Sequence, residues 1–148
     1  MELPYFAPIK PEAMLNLNYI FPFFIVAHLH PSVAFYVDKL GFEVRYMGPA
    51  DDPYWAIVGR DNISIMLKGI AAEIKPMPNH TRHPWARWDA FISTSDPDAL
   101  FEEYCSRGLD FRQPIMDDND GLRGFELADA DGYALFFGRP KTSPSNYA

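Results

Sequence analysis

Gly41-Phe42-Glu43-Val44-Arg45 returns as Gly108-Leu109-Asp110-Phe111-Arg112, 67 residues further along the chain. The residues before each copy match in kind. Pro31 opens a helical run that closes at Gly41, and Pro97 opens one that closes at Gly108. The residues after each copy match too. Trp55-Ala56-Ile57 with Asp61-Asn62-Ile63-Ser64-Ile65-Met66-Leu67 lies over Phe125-Glu126-Leu127 with Asp131-Gly132-Tyr133-Ala134-Leu135-Phe136-Phe137, at an offset of 70. Internal repetition decides an architecture before any single residue is read. Here it implies two copies of one strand–helix–strands unit, with a site built between them.

Local signals place the elements. Pro22 to Ala27 reads as an apolar opening strand. His30 stands at a helix-capping position, with Pro31 first in the helix because its missing N–H is not needed there. Val33, Tyr36, Val37 and Leu40 recur at helical spacing, and Gly41 suits the left-handed end of a helix. A strand Phe42–Tyr46 and a hairpin Tyr54–Val58 and Ile63–Lys68 complete the first unit. In the second, Trp88–Thr94 is the opening strand, Asp96 the N-cap and Pro97 the first helical residue. Leu100, Phe101, Tyr104 and Cys105 mark that helix, Cys105 as a small buried hydrophobe. A strand Leu109–Arg112 comes next, then a hairpin Gly124–Phe137 turning at Asp129-Ala130-Asp131-Gly132. The expected organisation is one α+β domain over 1–148. It comprises an extension (1–21), a first module (22–69), a Pro-rich crossover (70–86), a second module (87–139) and a tail (140–148). In the extension Pro4, Pro8 and Pro11 exclude a regular element, and Tyr5, Phe6 and Ile9 are free to lie across a neighbouring surface.

Composition narrows the function classes. The 148 residues are 48% hydrophobic and 22% charged, which fits an ordinary globular chain. A net charge of −7 argues against a nucleic-acid partner, since phosphate binding needs clustered Lys and Arg. It favours a neutral or cationic ligand, although acidity also serves solubility. A single cysteine excludes an internal disulfide and a Cys-rich zinc site. The N-terminus lacks the basic start and apolar middle of a secretory leader. The most apolar stretch, Tyr19–Leu29, falls short of the roughly 20 residues of a membrane span. A cytoplasmic protein with no membrane partner is expected.

Strand alternation gives each sheet two faces. Tyr133, Leu135 and Phe137 share a face beneath a helix, as do Ile63, Ile65 and Leu67. Ser64, Met66 and Lys68 point the other way, as do Ala134, Phe136 and Gly138. In the opening strands the outward sets are expected to be Pro22, Phe24 and Val26, and Asp89, Phe91 and Ser93. Two curved sheets with such faces line a concave cleft, the usual setting of a small-molecule site. The face taken by Glu126 depends on hairpin register, which the sequence leaves open.

Phe35-Tyr36-Val37-Asp38-Lys39-Leu40-Gly41-Phe42 in the first module, and Asp129-Ala130-Asp131-Gly132 before the last strand, carry a resemblance. From about Pro22 to Arg139 the chain resembles the vicinal oxygen chelate superfamily of glyoxalases, ring-cleaving dioxygenases and bleomycin-resistance proteins. The resemblance implies two tandem β-α-β-β-β modules whose sheets form a half-barrel cleft, often within a homodimer. Metal enzymes of that superfamily hold a divalent ion from the first and last strands of the modules. Counted from the shared motifs, those positions are Pro22, Met66, Asp89 and Phe136. Proline and phenylalanine cannot ligate, and methionine is too soft for hard ions. One carboxylate is left where a catalytic zinc needs three protein ligands. The resemblance therefore implies no metal and no cofactor, and a binder rather than an enzyme. Bleomycin-resistance proteins also tend to carry proline at the first position, and they sequester a cationic drug without chemistry.

Phe24, Trp55, Met66, Trp88, Asp89, Phe91 and Phe136 are the candidate ligand-binding residues. Aromatic rings stack on flat groups and attract cations. Asp89 is read either as an anchor for a ligand amine, or as an exposed acid paired with Arg87 or a hairpin arginine. Phe24, Met66, Phe91 and Phe136 form either a pocket wall or a filled core. Trp85 and Trp88 are cleft aromatics or anchors at a module or subunit boundary, and Glu102-Glu103 a solvated helix face. His28-His30 and His80-His83 have ligand-like spacing but no convergent third ligand, so a structural role is favoured. The leading expectation is a metal-independent small-molecule binding protein, in its specific form one that sequesters a cationic or aromatic antibiotic. The competing one is a divalent-metal lyase, isomerase or dioxygenase with its site relocated around His28, His30 or Asp89.

Overall fold

A computed structural model describes residues 15–141 of the chain. The prolines and aromatics expected to form the N-terminal arm, and the tail beyond 141, lie outside those residues. Two four-stranded sheets are built in the repeated order. The first contains β1 (Phe23–Ile25), β2 (Glu43–Gly48), β3 (Trp55–Arg60) and β4 (Ile63–Lys68), arranged β1-β4-β3-β2. The second contains β5 (Ala90–Ser93), β6 (Gln113–Asp117), β7 (Leu122–Ala128) and β8 (Ala134–Pro140), arranged β5-β8-β7-β6. In each sheet the first strand runs parallel to the last, and the other pairs are antiparallel. Among the described residues no strand of one sheet pairs with a strand of the other. This is the double β-α-β-β-β architecture that the repeat implies.

Each module carries one helix, α1 (Leu29–Ala34) in the first and α3 (Pro97–Ser106) in the second, and a single turn, α2 (Asn79–Arg82), interrupts the crossover. The two module helices differ in one informative way. α1 runs on into a wider π-helical turn (Phe35–Lys39), whereas α3 is regular throughout. From N-cap to closing glycine the first spans His28 to Gly41 and the second Asp96 to Gly108, one residue fewer. A π turn absorbs a single inserted residue within an α-helix. Both closing glycines stand at positive φ, +74° for Gly41 and +75° for Gly108, the left-handed conformation that ends a helix. A Cβ at Gly108 would meet no atom within 4 Å, so backbone conformation alone selects glycine there.

The inserted residue explains a correction to the first strand. Phe24 and Val26 were expected on the outward face. Instead both are buried in the core, and Phe23 and Ile25 are exposed. Parallel register sets Phe23 beside Met66 in the first sheet and Phe91 beside Phe136 in the second. The true offset upstream of the helix is therefore 68, because the extra helical residue lies between the strand and the motif from which it was counted. A slip of one residue turns every side chain of a strand to the other face.

Other boundaries move for local reasons. α1 begins at Leu29 after an extended His28, so His30 and Pro31 lie within its first turn. Pro31 is tolerated there because N–H groups of a first turn have no intrahelical acceptor. The strand expected over 109–112 starts instead at Gln113, with Phe111 packed edge-on against Phe125 and close to Phe101. Pro114, which lacks an N–H, falls in the bulge between Gln113 and Met116. Cys105 is exposed rather than buried, because Tyr104 takes the inward position on that turn of α3. Asp96 caps α3 as expected, accepting from the Ala99 N–H at 3.1 Å.

One core serves both modules. Phe24, Leu67 and Tyr36 from the first join Tyr104, Phe125, Leu135 and Phe137 from the second. The β7–β8 turn clasps the modules together. The Asp131 carboxylate accepts from the Ala27 N–H at 2.9 Å and from the Ser32 hydroxyl. The Asp129 carboxylate accepts from the Tyr36 hydroxyl at 2.5 Å and from the Asp131 and Tyr133 N–H groups at 3.0 and 2.9 Å. Tyr133 stacks on Phe24 with ring centres 4.3 Å apart, and its hydroxyl donates to the Ile25 carbonyl at 2.6 Å. At the other end Arg60 grips Glu103 through two bonds of 2.8 and 2.9 Å, and Tyr104 donates to the Leu40 carbonyl. Glu103 is thus a cross-module ion pair, not part of a solvated helix face.

Burial pushes the Asp129 carboxyl up to about 6, against the bonds from Tyr36, Asp131 and Tyr133 that favour its ionised form. A carboxyl whose pKa is higher folded than unfolded is protonated first in the native state. Its contribution to stability therefore increases as pH falls through about 6 and levels off below 3.8. Urea unfolding of wild type and Asp129→Asn should show the wild type gaining relative to the variant between pH 7 and pH 5. A difference independent of pH would contradict this.

Candidate functional site

Each sheet has one face in the shared core and one that is open. Across the first sheet a row of neighbours, Phe23, Met66, Ile57 and Tyr46, crosses the open face in register. Across the second the equivalent row is Phe91, Phe136, Glu126 and Gln113. Register thus places Glu126 on the open face. Phe23 is 52% exposed and Phe91 46%, high for large apolar side chains on well-formed strands.

The second face is built around one ring. Phe136 is fully buried, stacked on Phe91 at 5.2 Å and tilted against Trp88 at 4.8 Å. It lies over glycine in two directions, Gly124 of the neighbouring β7 and Gly138 two residues along its own strand. A Cβ at Gly124 would come within 2.6 Å of the ring, and one at Gly138 within 2.5 Å. Two glycines inside strands are the sequence signal of this close approach.

Beside the ring, the Arg87 guanidinium lies 4.4 Å from the Trp88 ring centre and 5.6 Å from that of Phe136. Its Nε and Nη2 donate to Glu126 at 3.2 and 2.8 Å, and Nη2 also to Gln113 at 3.2 Å. Its Nη1 donates to Asp118 at 3.1 Å and Asp120 at 2.8 Å. Glu126 is 5% exposed and Asp118 9%. Burial works against charge on Arg87, yet the bonds to Glu126 and Asp118 outweigh it and hold the guanidinium above its ordinary pKa. Asp118 is likewise penalised by burial, but the Leu122 N–H, Arg87 and the Asp120 N–H keep it below the usual carboxylate range. Gln113 Nε2 is buried with no hydrogen-bond partner among the described residues.

The candidate residues separate into four groups. Trp88, Phe91 and Phe136 come together as one aromatic wall. Met66 and Trp55 lie on the other open face, where Trp55 meets Tyr46 at 4.8 Å and its ring N–H is unpaired among the described residues. Phe24 is absent from either face, being stacked in the core. Asp89 is a backbone staple. Its carboxylate accepts from the Asn79 N–H and the Ala134 N–H, both at 2.8 Å, tying the crossover to β8. It pairs with no arginine among the described residues; Arg87 goes to Glu126, Asp118 and Asp120 instead.

The remaining aromatic and imidazole groups are elsewhere. Trp85 is 76% exposed, stacked on His83 at 5.0 Å, and His80 bonds the Gly132 carbonyl at 2.9 Å. His28 and His30 border a shallow hollow with Pro53 and Gly69. Among the described residues no three His, Cys, Asp or Glu side chains converge so as to hold a metal ion. A cavity of about 440 Å³ opens between the β3–β4 turn and α3, lined by Arg60, Asn62, Thr94 and Glu103 among others; none of the seven candidates borders it. Sequence reading missed Arg87, Gln113 and Asp118 as site residues. Arg87 precedes the first regular strand of its module, and only register brings Gln113 opposite Glu126.

With this geometry in view, comparison with known proteins is direct. A family model for the glyoxalase/bleomycin resistance protein/dioxygenase superfamily matches residues 16–137, and the chain belongs to that superfamily. A bleomycin-binding protein from bleomycin-producing Streptomyces verticillus, solved with copper(II)-bleomycin, superposes with a TM-score of 0.61 at 25% identity, covering 84% of this chain and 97% of that one. TnmS3, an antibiotic-binding protein from Streptomyces sp. CB03234, gives 0.62 at 18% identity over 86% and 100% of the two chains. A glyoxalase-related enzyme from Clostridium phytofermentans gives 0.64 at 16% identity over 86% and 98%. No curated protein matches the sequence. No helix among the described residues is long and apolar enough to cross a membrane.

The seat of Phe136 is testable. A methyl group at Gly138 meets the Phe136 ring at 2.5 Å and the Arg123 carbonyl at 2.6 Å, and the carbonyl belongs to the neighbouring strand. Gly138→Ala should therefore destabilise the fold by about 1–3 kcal/mol, read as a lowered Tm. An unchanged Tm would show that the ring and strand yield freely.

Proposed function

We propose that this protein binds a flat or cationic small molecule of the antibiotic type on its aromatic open faces, without a metal ion, and does so as a cytoplasmic homodimer. The observation that carries this reading is the wall of Trp88, Phe91 and Phe136 set against the buried Glu126 carboxylate. Rings bind flat groups by stacking, and a carboxylate in a poorly solvated setting attracts a cation more strongly than one in water. The superfamily includes neighbours described as antibiotic-binding, which agrees with a binding role.

The position of the open faces favours a dimer. The contacts joining the modules within one chain run through the core faces, the helices and the β7–β8 turn. That leaves Phe23, Ile25 and Tyr46 on one sheet, and Phe91 and Met116 on the other, exposed to solvent. A second copy would set its second-module face against the first-module face of this chain and enclose the ligand between them. The symmetry would produce two such clefts per dimer.

Fluorescence and calorimetric titration with bleomycin-class and other planar cationic antibiotics tests the binding reading. Wild type should bind, and Phe91→Ala or Trp88→Ala should weaken binding about tenfold or more, equivalent to about 1.4 kcal/mol. Neither heat nor quenching at high micromolar ligand would remove the reading. Stoichiometric zinc, nickel or iron after metal loading would favour an enzyme instead.

Sedimentation equilibrium tests the assembly separately. Wild type should be dimeric at micromolar concentration. Phe23→Asp, which places a charge on the apolar face, should give folded monomers. A monomeric wild type would refute the dimer.

A further inference from the structure

Arg87 fills a site that has the properties of a receptor for a planar cation. All five N–H directions of its guanidinium are taken, by Glu126, Gln113, Asp118 and Asp120. Aromatic rings of Trp88 and Phe136 lie against it. The walls are fixed by backbone. Glu126 and Phe136 are on paired strands, and the Asp118 carboxylate is held by the Asp120 and Leu122 N–H groups at 2.9 and 3.0 Å. The occupant is not, for Arg87 belongs to the irregular segment between α2 and β5. Its side chain can leave without breaking a strand pair. A buried donor, Gln113 Nε2, is left without an acceptor among the described residues in the same ring of groups.

We propose that Arg87 is a resident stand-in for a guanidinium or amidinium group of the ligand, and that the ligand enters this box by displacing it. This rests on the binding role proposed above and names the chemistry that the second-module face selects. Glu126 and Asp118 need a cation whether it comes from the chain or from the ligand, because a buried carboxylate left unpaired is costly. Exchange of one planar cation for another preserves the charge balance, while the released Arg87 regains water. The planar array of acceptors favours guanidinium, and amidinium with one donor fewer, over a simple ammonium, which lacks the planar geometry. The free Gln113 donor favours a ligand with a carbonyl or hydroxyl oxygen beside the cation. Competition also sets the affinity. A ligand that must first evict an occupant binds more weakly by the fraction of time the site is vacant.

Benzamidine titrated into wild type, Arg87→Ala and Arg87→Ala/Glu126→Gln, followed by calorimetry and Trp fluorescence, tests the exchange. Arg87→Ala should bind benzamidine at least ~10-fold more tightly than wild type, as expected when a competing occupant is removed. Benzamidine should also restore the Tm that this variant loses. The double variant should lose the gain. Should Arg87→Ala not fold, Arg87→Met retains the aliphatic stem and answers the same question. In wild type, the Arg87 Nε–H resonance should move to its solvent-exposed position as benzamidine saturates the protein. Equal affinity in wild type and variant, or a gain that survives Glu126→Gln, would overturn the proposal. An antibiotic that binds wild type while benzamidine shows no dependence on Arg87 would overturn it and leave the broader binding role standing. A benzamidine gain with no antibiotic bound would do the reverse.

Discussion

The clasp formed by Asp129 and Asp131 is the constraint on which the rest of this structure depends. The core is common to both modules, and the second module's β7–β8 turn fastens it to the first module through polar contacts buried between them. Asp131 takes the Ala27 N–H and the Ser32 hydroxyl, and Asp129 takes the Tyr36 hydroxyl. Tyr36, which these bonds hold in place, and Phe24, stacked on Tyr133, are among the buried residues at the junction. The arrangement has a cost. A carboxyl as buried as Asp129 resists ionisation, and three hydrogen bonds only partly compensate. Because the clasp uses the core faces, it also leaves both open faces free of the junction.

Much of this was legible in the sequence because repetition is insensitive to local error. Offsets of 67 and 70 were enough to place two helices and two hairpins, and Asp129-Ala130-Asp131-Gly132 marked the turn correctly. The faces of β4 and β8 agreed with alternation. The overlay of Trp55-Ala56-Ile57 on Phe125-Glu126-Leu127 was one residue out, since register equates Ile57 with Glu126. The phase of β1 was also out, because a π turn is invisible to a pattern of apolar residues. Val33, Tyr36, Val37 and Leu40 fit an ordinary helix as well as an interrupted one. A count that passes through the helix is therefore wrong by one residue, and Phe24 is taken for Phe23.

The candidate site was legible in its aromatic half only. Phe91 and Phe136 could be brought together from period-two alternation and the repeat, whereas Trp88, out of phase with Phe91, joins them from the segment before β5. Its polar half depends on tertiary register. Gln113 faces Glu126 across a bulged pair, Asp118 belongs to the turn after β6, and Arg87 reaches over from outside the sheet. Asp89 illustrates the opposite error. An acid at the mouth of a cleft looks functional in sequence, but two backbone N–H groups claim both of its oxygens. Backbone donors left free by a crossover need acceptors, and a short acidic side chain at a strand entrance is well placed to supply them.

The two open faces are related by the repeat but are not chemically alike. Phe23, Met66, Ile57 and Tyr46 present only carbon, sulfur and one phenol hydroxyl. Phe91, Phe136, Glu126 and Gln113 grade from aromatic to charged along the same row. Duplication supplied one scaffold twice, and substitution at two equivalent positions, Ile57 against Glu126 and Tyr46 against Gln113, made one face a dry surface and the other a cation box. Placing that box on β7 is economical, since β7 is an inner strand whose backbone is paired on both sides and cannot shift to relax a misplaced charge. Glu126 is therefore held at a fixed distance from Phe136 whatever lies above it, and the groups free to rearrange are those outside the sheet, Arg87 first among them.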